Sequence, residues 1–323
     1  MCGARVAVPT SDRSNSCGNP VSLEVLQTNA PRVALAALDT LWFQVGGTIC
    51  NLRCHHCFIS CSPENDKFRF LSLDTCVGYL EESRALGVKE YYFTGGEPFA
   101  NPEMCDILER TLEFGPATVL TNATLFRDAI LDRLQFIDNA SIYSLELRVS
   151  LDGYSAEMND PIRGEGTFDR AMDGVRKLAA RGFLPILTIA RTWDGPDDDV
   201  LAAFVKLLRE NGYQRPRLKI LPLLKLGAEV NRSGGYGAGD FVTHTMMREY
   251  DQSRLVCSAA RLVTDQGVWV CPILLDSPDA KMGDSLADAL RAYPLRHAAC
   301  YTCWQYGAIC SNVASAATAS TDA

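Results

Sequence analysis

Between residues 40 and 225 the chain alternates short apolar runs with stretches of helical periodicity, and it does so six times. The runs are Leu41–Val45, Glu90–Thr94, Ala117–Leu120, Leu145–Leu151, Pro185–Ala190 and Leu218–Leu221. Most are apolar nearly throughout, the pattern of strands buried on both faces of a parallel sheet. Ser72 stands as N-cap before a helix carrying Val77, Leu80 and Leu86, and Gly87 ends it. Pro102 opens a helix with Ile107 and Leu108, and another runs through Ile130, Leu131 and Leu134. Phe168, Met172, Val175 and Leu178 share one helical face closed by Gly182, and Val200–Leu208 is again helical. Right-handed crossovers curl such a sheet toward a barrel. The expected fold is α/β, a partial (β/α)6 TIM-like barrel over residues 39–227, with its site at the C-terminal ends of the strands.

Outside the barrel the pattern changes. Residues 1–38 read as a flexible polar leader and 312–323 as a frayed tail. Residues 228–256 begin Gly-rich, as a linker or lid, and continue as a helix expected from Asp240 to Asp251. Residues 257–311 form a small cysteine-rich module. The formal charge, 31 − 39 = −8, comes without a basic stripe, so nucleic acid is not expected as a partner. No apolar run approaches the roughly 20 residues of a membrane span, and the N-terminus lacks a signal-peptide pattern. Thirteen cysteines, an odd number in a chain this long, point to metal-bound thiolates in a reducing cytoplasm rather than a disulfide scaffold. Cys2 and Cys17 read as thiols outside any site, and Cys76 and Cys105, on expected helices, as small core hydrophobes.

The chemistry gathers where strands end. After the first strand come Cys50, Cys54 and Cys57 within eight residues. Three thiolates can hold three irons of a [4Fe–4S] cubane and leave the fourth open to a ligand, whereas a four-cysteine cluster mainly carries electrons. Cys61 is a possible fourth thiolate, though such a closed site would leave the next motif without a purpose. That motif is Thr94-Gly95-Gly96-Glu97-Pro98, at the end of the second strand. Two glycines allow close approach to the backbone, and Glu97 offers an acceptor to an ammonium group. The third strand ends in Thr121-Asn122-Ala123 and the fourth in Ser150-Leu151-Asp152-Gly153; Arg163-Gly164 follows where the next helix should begin. Arginine suits a bidentate grip on a carboxylate. Each motif alone also fits an ordinary turn or helix cap.

Taken together, Cys50-x3-Cys54-x2-Cys57, Gly-Gly-Glu-Pro, Ser-Leu-Asp-Gly and Arg-Gly resemble the radical S-adenosylmethionine superfamily over residues 40–225. The resemblance implies a cluster on Cys50, Cys54 and Cys57 whose open iron chelates S-adenosylmethionine. An electron from the cluster then releases a 5′-deoxyadenosyl radical, which takes a hydrogen atom from a substrate. It implies that Gly95, Gly96 and Glu97 hold the methionyl ammonium while Pro98 shapes the turn. Ser150 would meet the ribose or carboxylate, and Arg163 the carboxylate. His56 takes the place usually held by an aromatic near the adenine. An external electron donor such as flavodoxin or ferredoxin is implied as partner.

Further cysteines, Cys257, Cys271, Cys300, Cys303 and Cys310, resemble the SPASM or shorter Twitch extension of that superfamily. This implies one auxiliary [4Fe–4S] cluster on four of the five; a four-cysteine zinc site is the competing reading. An auxiliary cluster beside the substrate would take up a second electron, so an oxidoreductase is expected. Bond formation is the other outcome. The substrate is expected to be a small metabolite, with peptide maturation as the alternative. An iron–sulfur electron-transfer or scaffold protein is the rival of another class. Arg191, Trp193, Asp194 and Lys225, after the fifth and sixth strands, are the candidates to face the substrate.

Overall fold

The computed structural model describes residues 27–307 and 309. A nine-stranded sheet organises the chain. Its central strands are β2 (Thr40–Phe43), β3 (Glu90–Phe93), β4 (Ala117–Thr121), β5 (Leu145–Ser150), β6 (Ile186–Ala190) and β7 (Arg217–Leu221). These six pair in sequence order and in parallel, as their apolar character requires once both faces are covered. The crossovers carry α1 (Leu73–Leu86), α2 (Met104–Thr111), α3 (Asp128–Ala140), α4 (Ala156–Arg163), α5 (Thr167–Ala180) and α6 (Asp197–Glu210). This α/β architecture is the partial barrel that the alternation predicts.

Local chemistry sets the helix ends. The Ser72 hydroxyl accepts the N–H of Thr75, Asp74 and Arg84 complement the dipole of α1, and Gly87 closes it at a φ of 73°. The register places Trp42 beside Tyr92 and Phe43 beside Phe93, with ring centroids 4.4 and 5.3 Å apart. Cys76 is wholly buried and Cys105 half-buried, the former in the core as expected.

The sheet does not stop at β2. Strand β8 (Ala260–Thr264) lies parallel on its far side, and β9 (Gly267–Trp269) and β10 (Lys281–Gly283) extend the edge in antiparallel fashion. The cysteine-rich C-terminal region is thus built onto the barrel's own sheet.

Two expectations fail here. Within the expected leader, residues 27–38 pack onto the fold, with β1 (Arg32–Val33) pairing with β11 (Tyr293–Pro294). Gln27 and Ala36 N–H groups reach Arg296 O and Ser258 O, and Val33 and Leu38 are buried, so two apolar anchors outweigh a polar composition. The helix expected over Asp240–Asp251 is a chain of turns instead. The Thr243 hydroxyl takes the N–H of Met246, and Val242 and Met247 bury as isolated anchors. The Gly-rich segment before it holds one short helix, α7 (Val230–Ser233), and the last helix among the described residues is α8 (Ala299–Tyr306). No described helix is long and apolar enough to cross a membrane.

Candidate active site

The loop after β2 carries the three cysteines and is clamped from several directions. Cys50 N–H donates to Ser62 O and His55 N–H to Ile162 O, near the end of α4. From the loop after β7, Ala228 N–H donates to Cys57 O. The closest approach is at Gly96. A Cβ there would lie 2.0 Å from Ile49 O, one residue before Cys50, so glycine is the residue that this contact admits.

The Cys50 and Cys57 sulfurs are met by N–H donors, as cluster thiolates commonly are. Leu52 N–H lies 3.4 Å from Cys50 Sγ, and Cys61 N–H 3.3 Å from Cys57 Sγ. Asn122 Nδ2 approaches Cys50 Sγ at 3.9 Å and donates to Asn51 Oδ1. Burial pushes the Cys50 and Cys54 thiols up, to about 12 and about 11. The Cys61 thiol beside Cys57 holds Cys57 below its ordinary value and is itself pushed up. Cys61 thus partners the Cys57 sulfur rather than standing apart from it.

Around this loop the ends of β3, β4 and β5 bring the remaining groups. Glu97 is wholly buried. Its carboxylate accepts from Phe99 N–H, the Thr121 hydroxyl and Asn122 N–H at 3.1, 2.7 and 2.8 Å. Burial raises its pKa against those bonds. Three of roughly four acceptor positions are therefore committed to the protein. Gly95 sits backbone to backbone against Gly46, and Pro98 begins the short turn that follows. Ser150 Oγ lies 3.4 Å from Thr188 Oγ1.

Arg163 is the last residue of α4, not at a helix start. Pro161 inside that helix hid it from the sequence pattern. Asp160 fixes the turn by accepting from Gly166 N–H, Phe168 N–H and Thr167 Oγ1. Asp152, a residue sequence reasoning quoted but did not select, joins two that it did. Its Oδ2 lies 2.9 Å from His56 Nε2 and 2.6 Å from Arg163 Nε, while Oδ1 accepts Ala190 N–H. The two Oδ2 contacts are ion-pair approaches outside hydrogen-bond angles, and His56 Nδ1 is buried without a hydrogen-bond partner. Burial alone would raise the Asp152 pKa, but Arg163 and then His56 outweigh it and hold the carboxyl well below its usual range. Asp152 and Asn122 carried a signal, since both sit in the turns that end strands. Gly46-Gly47, whose backbone meets Glu97 and Phe68–Arg69, was another.

The candidates for the substrate stand further out. Arg191 ties its own loop, donating to Asp197, Trp193 O and Gly195 O. Trp193 is half-buried and packed on the core, and Asp194 is exposed. Lys225 lies 5.9 Å from the ring centre of Tyr236.

A second group of cysteines surrounds a small apolar pocket. Cys257, Cys271, Cys300 and Cys303 line it, together with Leu255, Val270, Leu274 and Leu295. Cys310 lies outside the described residues. Among the described residues no three His, Cys, Asp or Glu side chains converge as a single metal ion requires.

This chain belongs to the radical SAM superfamily, whose family model matches residues 45–208. Membership brings the [4Fe–4S] cluster and S-adenosylmethionine as cofactors. Among curated proteins it is similar to the mycofactocin maturase MftC of Mycobacterium tuberculosis, 33% identical over 42% of this chain and 33% of that one. It is also similar to the AdoMet-dependent heme synthase of Methanosarcina barkeri, 31% identical over 49% and 42%. The chain thus spans between a third and a half of the length of these relatives. In structure it resembles SuiB of Streptococcus suis, with a TM-score of 0.60 over 81% of this chain and 67% of that one at 15% identity.

Proposed function

We propose that this protein is a radical S-adenosylmethionine oxidoreductase that removes a hydrogen atom from an unactivated carbon of its substrate, with an auxiliary cluster on Cys257, Cys271, Cys300 and Cys303. When bound, the first cluster supplies the electron that breaks the sulfur–5′-carbon bond of S-adenosylmethionine, and the second supplies an acceptor for the electron left after hydrogen abstraction. Cys50, Cys54 and Cys57 would hold the first cluster. Asp152 holds Arg163 and His56 together, where they would meet a carboxylate and an adenine. Gly95, Gly96 and Glu97 line the side taken by the ammonium.

The single observation that carries this reading is the convergence of the three-cysteine loop with the buried His56–Asp152–Arg163 group at one end of the barrel. Its test is anaerobic turnover of the reconstituted protein with a reductant. Release of 5′-deoxyadenosine is expected; none above the level of a Cys54→Ala control refutes it.

For the substrate, a peptide maturase is the second reading. It is favoured by the similarity to MftC and to the subtilosin biosynthesis protein AlbA of Bacillus subtilis, 31% identical over 41% of this chain. Similarity to the GTP 3′,8-cyclase of Listeria welshimeri, 25% identical over 54% of this chain, favours a small metabolite. Turnover with candidate peptides and metabolites, followed by mass change of the substrate, separates the two.

A further inference from the structure

Arg261 stands on β8, beside the segment of Cys257, which lines the pocket with Cys271, Cys300 and Cys303, and none of it is exposed. Its Nε donates to Ala289 O at 2.9 Å, and Nη1 to Cys257 O at 2.8 Å and Ala260 O at 2.6 Å. Nη2 donates to Arg291 O at 2.9 Å. Every acceptor is a backbone carbonyl. Among the described residues no aspartate or glutamate pairs with it, so its donors are satisfied while its charge is not. A buried cation in this state is costly, and proteins rarely keep one without an anion. Burial draws the guanidinium down to about 10; the Cys257 and Cys271 sulfurs favour its charge and Arg291 opposes it.

A [4Fe–4S]2+ core on four thiolates is a dianion, and one-electron reduction makes it a trianion. Net charge around a cluster is one of the quantities that set its potential. We propose that Arg261 is the built-in counter-charge of an auxiliary cluster on Cys257, Cys271, Cys300 and Cys303, favouring its reduced form and so its part as electron acceptor. The inference rests on the auxiliary cluster proposed above and adds the residue that tunes it. The carbonyl clasp holds the cation beside the Cys257 segment without cancelling its charge.

The experiment is a redox titration, followed by electron paramagnetic resonance, of reconstituted wild type, Arg261→Lys and Arg261→Gln, with iron and sulfide measured on each. Glutamine keeps hydrogen-bond donors and drops the charge; lysine keeps the charge and drops the fork. Arg261→Gln is expected to weaken reduction of the auxiliary cluster at least tenfold, about 59 mV for one electron. Arg261→Lys should stay near wild type, and the first cluster should be unmoved in both. Equal auxiliary potentials in all three proteins, with both clusters present, overturn the counter-charge and leave the auxiliary cluster standing. One cluster's worth of iron in the wild type overturns the auxiliary cluster, and this inference with it. If Arg261→Gln fails to load, the decision falls to the Cys271→Ala, Cys300→Ala background, which has no second cluster. There the uncompensated charge is a burden, so adding Arg261→Gln should raise the melting temperature; a fall overturns the proposal.

Discussion

The two cysteine regions of this molecule differ in what surrounds the sulfurs. In the first, three cysteines from one loop sit among charged and polar groups: Asp152, Arg163, His56, Asn122 and Glu97. Cys54 and Cys57 remain partly exposed. In the second, four cysteines from three separate segments line an apolar pocket, with one buried arginine behind it. A polar, open setting suits a site that must bind a charged amino acid and release its products. An apolar one suits a group that only exchanges electrons, because nearby polarity and charge set its potential. On the proposed reading, the same ligand type would serve two tasks through its surroundings.

The sharpest way to break this contrast is Gly96→Ala. The added Cβ meets the Ile49 carbonyl, a backbone group that cannot swing aside. Overpacking typically costs about 1–3 kcal/mol, and here it displaces the loop holding Cys50. First-cluster iron and 5′-deoxyadenosine release should both fall to background while the second cluster stays; loss of both clusters together would show that the regions are not independent.

Asp152→Asn comes next. It leaves Arg163 buried without its carboxylate, and breaking such a pair costs about 3–5 kcal/mol. The sign with pH follows from the lowered folded pKa. The carboxylate's contribution is fully present above its unfolded pKa of about 3.9 and is lost as pH falls through the lower folded value. Denaturation curves should therefore show a wild-type advantage that is flat from neutrality to about pH 4 and shrinks below it. Affinity for S-adenosylmethionine should drop alongside.

Cys300→Ala tests the other side. The second cluster should be lost, and iron analysis should show the first retained, with binding of S-adenosylmethionine intact. The smallest effect is expected from Cys61→Ala. It removes the thiol beside the Cys57 sulfur but keeps the backbone donor. The first cluster should assemble, with its potential lowered by less than a tenfold change in reduction, under about 59 mV. Loss of the cluster would instead make Cys61 a fourth ligand and close the open corner.

The alternation of strand and helix, the three-cysteine loop and the Gly-Gly-Glu-Pro turn were legible in the chain because each is local. Periodicity over a dozen residues reports burial, and ligands within one loop announce themselves by spacing. Asp152 was not legible as a site residue, since its importance lies in meeting His56 and Arg163, both distant along the chain. Helix α4 was hidden by Pro161, and the residues 27–38 strap by polar composition, although Val33 and Leu38 anchor it. The reading of 240–251 failed in the opposite way, since apolar spacing there served two isolated anchors rather than a helical face.

By itself, then, the sequence determined the parallel barrel and the three-cysteine loop at the end of its first strand. Apolar periodicity and short-range ligand spacing are written residue by residue. The tertiary structure alone decided that β8 joins the sheet beside β2, that Asp152 links His56 to Arg163, and that Arg261 lies buried beside Cys257. Those are encounters between distant segments. Their energy, from charges opposed or left unopposed away from water, arises only when the chain has closed around them.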